Sequence, residues 1–276
     1  CIRDSLINML IFVSGMPVNF FKYQATGNDF VIIDNLSNSF NKNDTKLIAR
    51  LCDRRFGIGA DGLILLESSS DFDFKMIYFN ADGFESSMCG NGGRCIVAFA
   101  SRLGIIKDNT IFKAIDGPHE AKIEASQISL KMKDVESIEN KAGGIIIDTG
   151  SPHYVSICKD LGNLNVRNEG AKIRNASPFK EDGININFVN PIDSENFAIR
   201  TYERGVEGET LSCGTGATAV AIAMHASQKT NSNCITLHTQ GGDLEVQFRY
   251  KDASYVDVWL RGSVRYVYEG TFENNF

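Results

Sequence analysis

Cys89-Gly90-Asn91-Gly92-Gly93 runs into Arg94-Cys95-Ile96-Val97-Ala98-Phe99-Ala100-Ser101-Arg102, and nearly half a chain later Cys213-Gly214-Thr215-Gly216 runs into Ala217-Thr218-Ala219-Val220-Ala221-Ile222-Ala223-Met224. Each is a cysteine, a glycine-rich turn and a mostly apolar run free of proline, which predicts helices over 94–102, ending near Gly104, and over 217–228. Similar stretches precede them, Tyr78-Phe79-Asn80-Ala81-Asp82-Gly83 and Thr201-Tyr202-Glu203-Arg204-Gly205. A pattern recurring at half the chain length predicts two copies of one domain, each with a strand, a Cys-Gly turn and a helix. Both helices are apolar nearly all round, so each is expected inside a curved sheet rather than on its surface. The fold class is therefore α+β: two pseudo-symmetric domains, each a strand-rich curved sheet wrapped around a central helix. A ligand belongs in the interdomain cleft, where the two helix N-termini face each other.

Short β-rich runs surround these elements, at 30–33, 63–66, 74–79, 145–147, 184–189, 197–202, 244–248 and 255–260. A further helix over 45–52 is capped by Asp44 and stopped by Gly57. The 276 residues suffice for two modest domains, and 43% hydrophobic with 22% charged residues is globular usage. A net charge of −6 leaves no broad basic footprint, so nucleic acid and acidic membrane surfaces are not expected partners. No apolar run approaches the ~20 residues of a membrane span. The longest, residues 6–13, is broken by Asn8, and Asp4 spoils the basic flank of a signal peptide. Residues 1–16 are expected to be an extension outside the fold, with Met16 a natural start. Seven cysteines without a C-x-x-C pair suit free thiols in a reducing cytoplasm rather than a disulfide framework or zinc.

Two Cys-Gly helix starts carry a specific chemistry. The first N–H groups of a helix are unpaired and its dipole places about half a positive charge there, so a thiol beside it is expected to ionise below its free pKa of ~8.5. Glycines leave those N–H groups open to a carboxylate. One such cysteine is most often inert core. Two facing one carbon from opposite sides can remove a proton as thiolate and return one as thiol, which inverts the stereocentre. The carboxylate on that carbon gains charge in the transition state, so the N–H donors act most strongly there. This is racemase or epimerase chemistry with no cofactor and no metal. Gly57-Ile58-Gly59 lacks the rest of a dinucleotide fingerprint, and no P-loop is present. Of the four histidines only His153, in Gly150-Ser151-Pro152-His153, sits in a turn suited to a site; His119, His225 and His238 read as surface or core residues.

The residues then carry a resemblance over about 20–270. Lys22-Tyr23-Gln24-Ala25-Thr26-Gly27-Asn28-Asp29-Phe30, Arg54-Arg55-Phe56-Gly57-Ile58-Gly59-Ala60-Asp61, Phe79-Asn80-Ala81-Asp82-Gly83, Met88 through Arg94, Gly183-Ile184-Asn185-Ile186-Asn187, and Tyr202-Glu203-Arg204-Gly205 with Ser212 through Ala217 together resemble the diaminopimelate epimerase family. The resemblance implies a pyridoxal-independent isomerase that interconverts LL- and meso-diaminopimelate on the lysine and peptidoglycan pathway. It implies Cys89 and Cys213 as the acid/base pair, with Gly90, Asn91, Gly214 and Thr215 on the reacting carboxylate. Asn28, Asn80, Asn185 and Arg204 would bind the distal end, Glu203 would contact the ammonium and assist catalysis, and His153 would support the site. It also implies a homodimer formed through Tyr268. Three departures stand out. Ser151 replaces a common substrate-binding asparagine, Gly62 replaces a glutamine of some members, and the 205–210 segment is one residue longer.

The nearest alternative is a proline or hydroxyproline racemase, which typically carries histidine where Asn91 stands here. Another is a redox-switch binding protein with a Cys89–Cys213 disulfide. The expected first domain spans 17–134, with 264–276 returning to it, and the second spans 135–263; the return is carried over from the family.

Overall fold

The computed structural model describes residues 17–125 and 127–273. The expectations for the 1–16 extension, Met16 and the end of the 264–276 strand fall outside them. The first half runs β1 (Val18–Ala25), β2 (Asn28–Asp34), α1 (Thr45–Cys52), β3 (Gly62–Glu67), β4 (Lys75–Asn80), α2 (Gly90–Arg102), β5 (Asn109–Ala114), β6 (Gly117–Glu124) and β7 (Gln127–Lys131). The second runs β8 (Glu139–Lys141), β9 (Gly144–Asp148), β10 (Pro152–Ile157), α3 (Val166–Arg174), β11 (Asn185–Pro191), β12 (Asn196–Glu203), β13 (Gly208–Thr210), α4 (Gly214–Ala226), β14 (Cys234–Thr239), β15 (Gly242–Lys251) and β16 (Ser254–Ser263). Last comes β17 (Arg265–Phe272).

The two halves repeat one strand grammar. In the first, β1–β2 is antiparallel, β2–β3 parallel, β3–β4 antiparallel, β4–β5 parallel, and β5–β6 and β6–β7 antiparallel. In the second, β9–β10, β10–β11, β11–β12, β12–β14, β14–β15 and β15–β16 follow the same order of orientations. Each parallel step needs a crossover, and the helices supply it: α1 between β2 and β3, α2 between β4 and β5, α3 between β10 and β11, and α4 between β12 and β14. The β7–β16 pair joins the halves, and β17 returns to pair with β1.

Strand alternation decides which helix each side chain meets. On β2, Phe30 and Ile32 join the core around α2, whereas Val31 and Ile33 face α1; on β3, Ile64 and Leu66 divide from Leu63 and Leu65 in the same way. With helices on both faces, these strands read as near-continuous apolar runs. Residues of α2 and α4 share one core that crosses between the halves, and α3 covers Ile186, Phe188 and Tyr202 on the outer face of the second sheet.

Two details differ from expectation. Both central helices start earlier than their apolar runs, at Gly90 and Gly214, because the Cys89 and Cys213 carbonyls accept the first helical bonds, from Gly93 at 2.7 Å and Ala217 at 2.9 Å. The glycines thus lie inside the first turn and the cysteines are the N-caps. Helix α3 was not anticipated: it is short and mostly polar, and buries only Val166 and Gly170.

Candidate active site

The two helix starts abut. A Cβ on Gly214 would stand 3.9 Å from the Gly90 Cα and 2.7 Å from Leu260 Cδ2; the same leucine underlies Gly90. Only glycine lets α4 come this close to Leu260 and to the other helix. Cys89 and Cys213 are half-buried, extended in backbone conformation and carry free thiols. Neither side chain caps its own helix, so the sulfurs stay free for other partners. Cys89 Sγ donates to Asn28 Oδ1 at 3.5 Å, while Cys213 Sγ lies 3.4 Å from Thr215 Oγ1 and hydrogen-bonds to Glu203.

The expected acidification of the thiols is not what this state holds. Burial pushes both thiol pKa values up, and the Glu203 carboxylate adds to the rise; helix N–H groups of Asn91 and Gly92 for Cys89, and of Gly216 for Cys213, act in the opposite direction. A helix pole of half a charge does not outweigh the loss of water around a sulfur.

In the first half, Asn28 begins β2 after the tight turn from β1. Its Nδ2 donates to Asp61 Oδ2 at 2.6 Å, and Arg54 bridges Asp61 and Asp29. Asp29 also pairs with the buried Lys22 at 2.6 Å and is held down at about 2; burial works against that, and the Arg54 and Lys22 hydrogen bonds overcome it. An ion-pair cluster thereby stands behind the amide that faces Cys89. Asn80 is exposed at the end of β4, opposite Gly62 in the ladder. A Cβ on Gly62 would meet Tyr78 Cε2 at 2.5 Å, so the Tyr78 ring fills the place where a longer side chain would stand.

In the second half, Asn185 at the start of β11 donates from Nδ2 to Ser151 Oγ at 2.8 Å and to Pro152 O at 3.2 Å, and accepts from the Arg204 N–H at 2.9 Å. Ser151 therefore orients Asn185. The exposed Arg204 is anchored through Nη1 on Asp182 O at 3.0 Å. Glu203 accepts from Thr210 Oγ1 at 2.5 Å, and burial raises its pKa. The longer 205–210 segment forms a β12–β13 hairpin, with Thr201 opposite Thr210 and Glu203 opposite Gly208. His153 is not in a turn: it lies within β10, is 0% exposed, and burial lowers its pKa to about 3. It is thus neutral. Asn187 Nδ2 donates to Tyr154 O and lies 3.1 Å from His153 Nδ1, which must then accept, so the ring proton sits on Nε2.

Sequence reasoning assigned no role to Asp61, Tyr78, Asn187, Thr26, Ser212 or Arg94. The last three tie the halves together: Ser212 Oγ donates to Thr26 O at 2.8 Å, Asn91 Nδ2 donates to Ser212 Oγ at 3.1 Å, and Arg94 Nη2 donates to Asn91 Oδ1 at 2.8 Å. All six stand within motifs quoted from the sequence, but nothing local marked their distant partners. Tyr268 stands apart from this cluster, 43% exposed on β17 with its ring edge-on to Phe20.

Comparison with known proteins adds the following. The family model described as diaminopimelate epimerase matches residues 20–136 and 145–267. A protein named diaminopimelate epimerase from Flavobacterium psychrophilum is 56% identical over 91% of this chain and 98% of its own, and one from Chlorobaculum tepidum is 41% identical over 90% and 98%. Among solved structures, a phenazine biosynthesis protein of the PhzF family from Bacillus anthracis superposes with a TM-score of 0.73 at 15% identity, covering 93% of this chain and 99% of that one. A hydroxyproline epimerase from Agrobacterium vitis gives 0.67 at 14%, covering 94% and 93%. At such identities these two show a shared two-domain fold.

Proposed function

This chain belongs to the diaminopimelate epimerase family, and from that premise we propose that Cys89 and Cys213 are its two acid/base groups. The activity is that of an isomerase, the epimerisation of LL- to meso-diaminopimelate in lysine biosynthesis. The observation that carries the assignment is the contact of the two helix starts at Gly90 and Gly214, each presenting its own cysteine.

One sulfur, as thiolate, takes the proton from the α-carbon. The C–H electron pair passes into the carbanion, delocalised over the carboxylate, and the opposite thiol gives its proton to the other face. The net result is an inverted centre and a proton moved from one sulfur to the other. N–H groups of Gly90, Asn91, Gly214 and Thr215 receive the carboxylate, whose growing charge they stabilise. Glu203 accepts from Cys213 and meets the substrate ammonium. The distal amino acid end falls to Asn28, Asn80, Asn185 and Arg204, the last as a fork for the carboxylate. His153, neutral and held through Nδ1 by Asn187, supports the site and does not act as a charged acid.

We assign one unit to 17–134 with 264–276 and the other to 135–263, a division the repeated strand order supports. Among the described residues no helix is long and apolar enough to cross a membrane; a cytoplasmic location and a homodimer joined through Tyr268 on β17 complete the reading.

Deuterium exchange tests the core of it. In D2O the enzyme should incorporate one deuterium at the inverted α-carbon of LL-diaminopimelate, and Cys89→Ala or Cys213→Ala should abolish inversion with the fold intact. Inversion that survives either substitution removes the two-thiol assignment; turnover of proline without diaminopimelate removes the substrate.

A further inference from the structure

Arg94 is the largest fully buried side chain described, at 0% exposure, and no carboxylate among the described residues lies within ion-pair distance of it. Its neighbours are neutral. Nη2 donates to Asn91 Oδ1 at 2.8 Å and to Thr26 Oγ1 at 3.2 Å, Nη1 reaches Gly90 O at 3.4 Å, and Nε has no partner. A guanidinium stays charged at any working pH, and burying a charge without a counter-ion is strongly unfavourable. The position is equally unusual. Nη1 stands 3.9 Å from where a Cβ on Gly214 would be, and Nε 3.1 Å from one on Gly262, so the fork lies beneath both helix starts with bare backbone around it.

Three positive poles thus converge on one spot: two helix N-termini and a guanidinium. We propose that Arg94 is the fixed counter-charge of the reacting centre, balanced only when the substrate carboxylate, and then the negative charge that develops on it, arrives between the two turns. The inference rests on the reading of Cys89 and Cys213 as the acid/base pair. Arg94 is a positioning residue. It does not touch substrate; it acts through the Asn91 amide, whose oxygen it holds and whose Nδ2 it leaves facing Asn28 and Ser212, and through its field. The charged and titratable groups around it are few. Cys89 and Cys95 face Arg94 from α2; Glu203 faces both Cys89 and Cys213 from β12; Tyr78 and Asp61 lie on the Cys89 side. Only Arg94 among them is permanently positive.

The test is alkylation of Cys89 and Cys213, read peptide by peptide by mass spectrometry, with iodoacetate and iodoacetamide across pH. It uses no substrate, so it stands or falls separately from the choice of diaminopimelate. In the native enzyme the iodoacetate-to-iodoacetamide rate ratio at these thiols should exceed that of the urea-unfolded chain. In Arg94→Gln, which keeps hydrogen-bonding groups but no charge, the ratio should fall about tenfold, and the alkylation midpoint of Cys89 should rise by roughly one pH unit. Arg94→Lys should restore both, and the loss in Arg94→Gln should fall on kcat more than on KM. An unchanged ratio and midpoint in a folded Arg94→Gln protein would overturn the proposal, because a merely structural arginine would alter stability alone. Should Arg94→Gln not fold, a native ratio no higher than that of the unfolded chain overturns it by itself.

Discussion

Asp61 decides which way the Asn28 amide faces. Its carboxylate lies 2.6 Å from Asn28 Nδ2 and can only accept, so Oδ1 is the atom that meets the Cys89 sulfur, at 3.5 Å. An amide free to turn would present a donor to the thiol half the time. Asp61→Ala should therefore lower kcat/KM by about 10- to 100-fold, mostly through kcat, since small misplacements at a reacting centre cost that much. Arg54 keeps its second partner, Asp29, so the melting temperature should move little. Steady-state kinetics beside a thermal melt checks both halves of this expectation.

On the proposed role of Glu203, its titration should set the acid limb of the rate profile. Burial raises its pKa above 4.5, and it accepts a hydrogen bond from the Cys213 thiol. As pH falls through that raised value the carboxylate is neutralised and the acceptor is lost. The acid limb of kcat/KM should thus lie above that of an ordinary glutamate. Glu203→Gln should remove that limb and slow turnover by about 10²-fold; a pH–rate series on both proteins would show it.

His153 makes stability depend on pH. Its folded pKa, lowered by burial to about 3, lies below its ordinary 6.5, so between those values the unfolded chain binds a proton that the folded chain does not. Stability from this residue is complete above pH 6.5 and is lost as pH falls toward 3, by up to several kcal/mol in all. His225, also lowered by burial, adds in the same direction; Glu203 works against it above 4.5; Asp29 enters only below 3.8. Urea midpoints between pH 5 and 7 should fall with acidification in the parent protein and fall less in His153→Gln.

Gly62 and Tyr78 should behave as one unit. A side chain at 62 would meet the ring at 2.5 Å and the Phe79 carbonyl oxygen at 2.5 Å. Gly62→Ala is expected to destabilise by about 1–3 kcal/mol. A double-mutant cycle with Tyr78→Ala should recover the part due to the ring and leave the part due to the carbonyl. Strict additivity in that cycle would mean the ring does not occupy that space.

The features written in contiguous residues were legible. Two Cys-Gly turns before apolar runs disclosed the duplication and the meeting of the two helix starts, and two-sided apolar strands marked the layers. What escaped was made by distance and burial. Asp61 meets Asn28 across 33 residues and Ser212 meets Thr26 across 186, and nothing local announces either pairing. The helix pole beside each cysteine could be inferred from sequence, whereas the desolvation that outweighs it could not. His153 was placed in a turn because Gly150 and Pro152 flank it, yet β10 begins at Pro152. Helix α3 has a proper cap in Asn165, but its apolar face was too narrow to register.

Strand β17, the final described strand, pairs with β1, the first, along seven residue partners from Val18–Phe272 to Gln24–Arg265. During synthesis β1 must therefore leave the ribosome with one edge uncovered until β17 has emerged. An uncovered edge is a template for a neighbouring molecule. Chains released before residue 265 should accumulate as aggregates rather than as a soluble first half, which pelleting of truncated products would reveal.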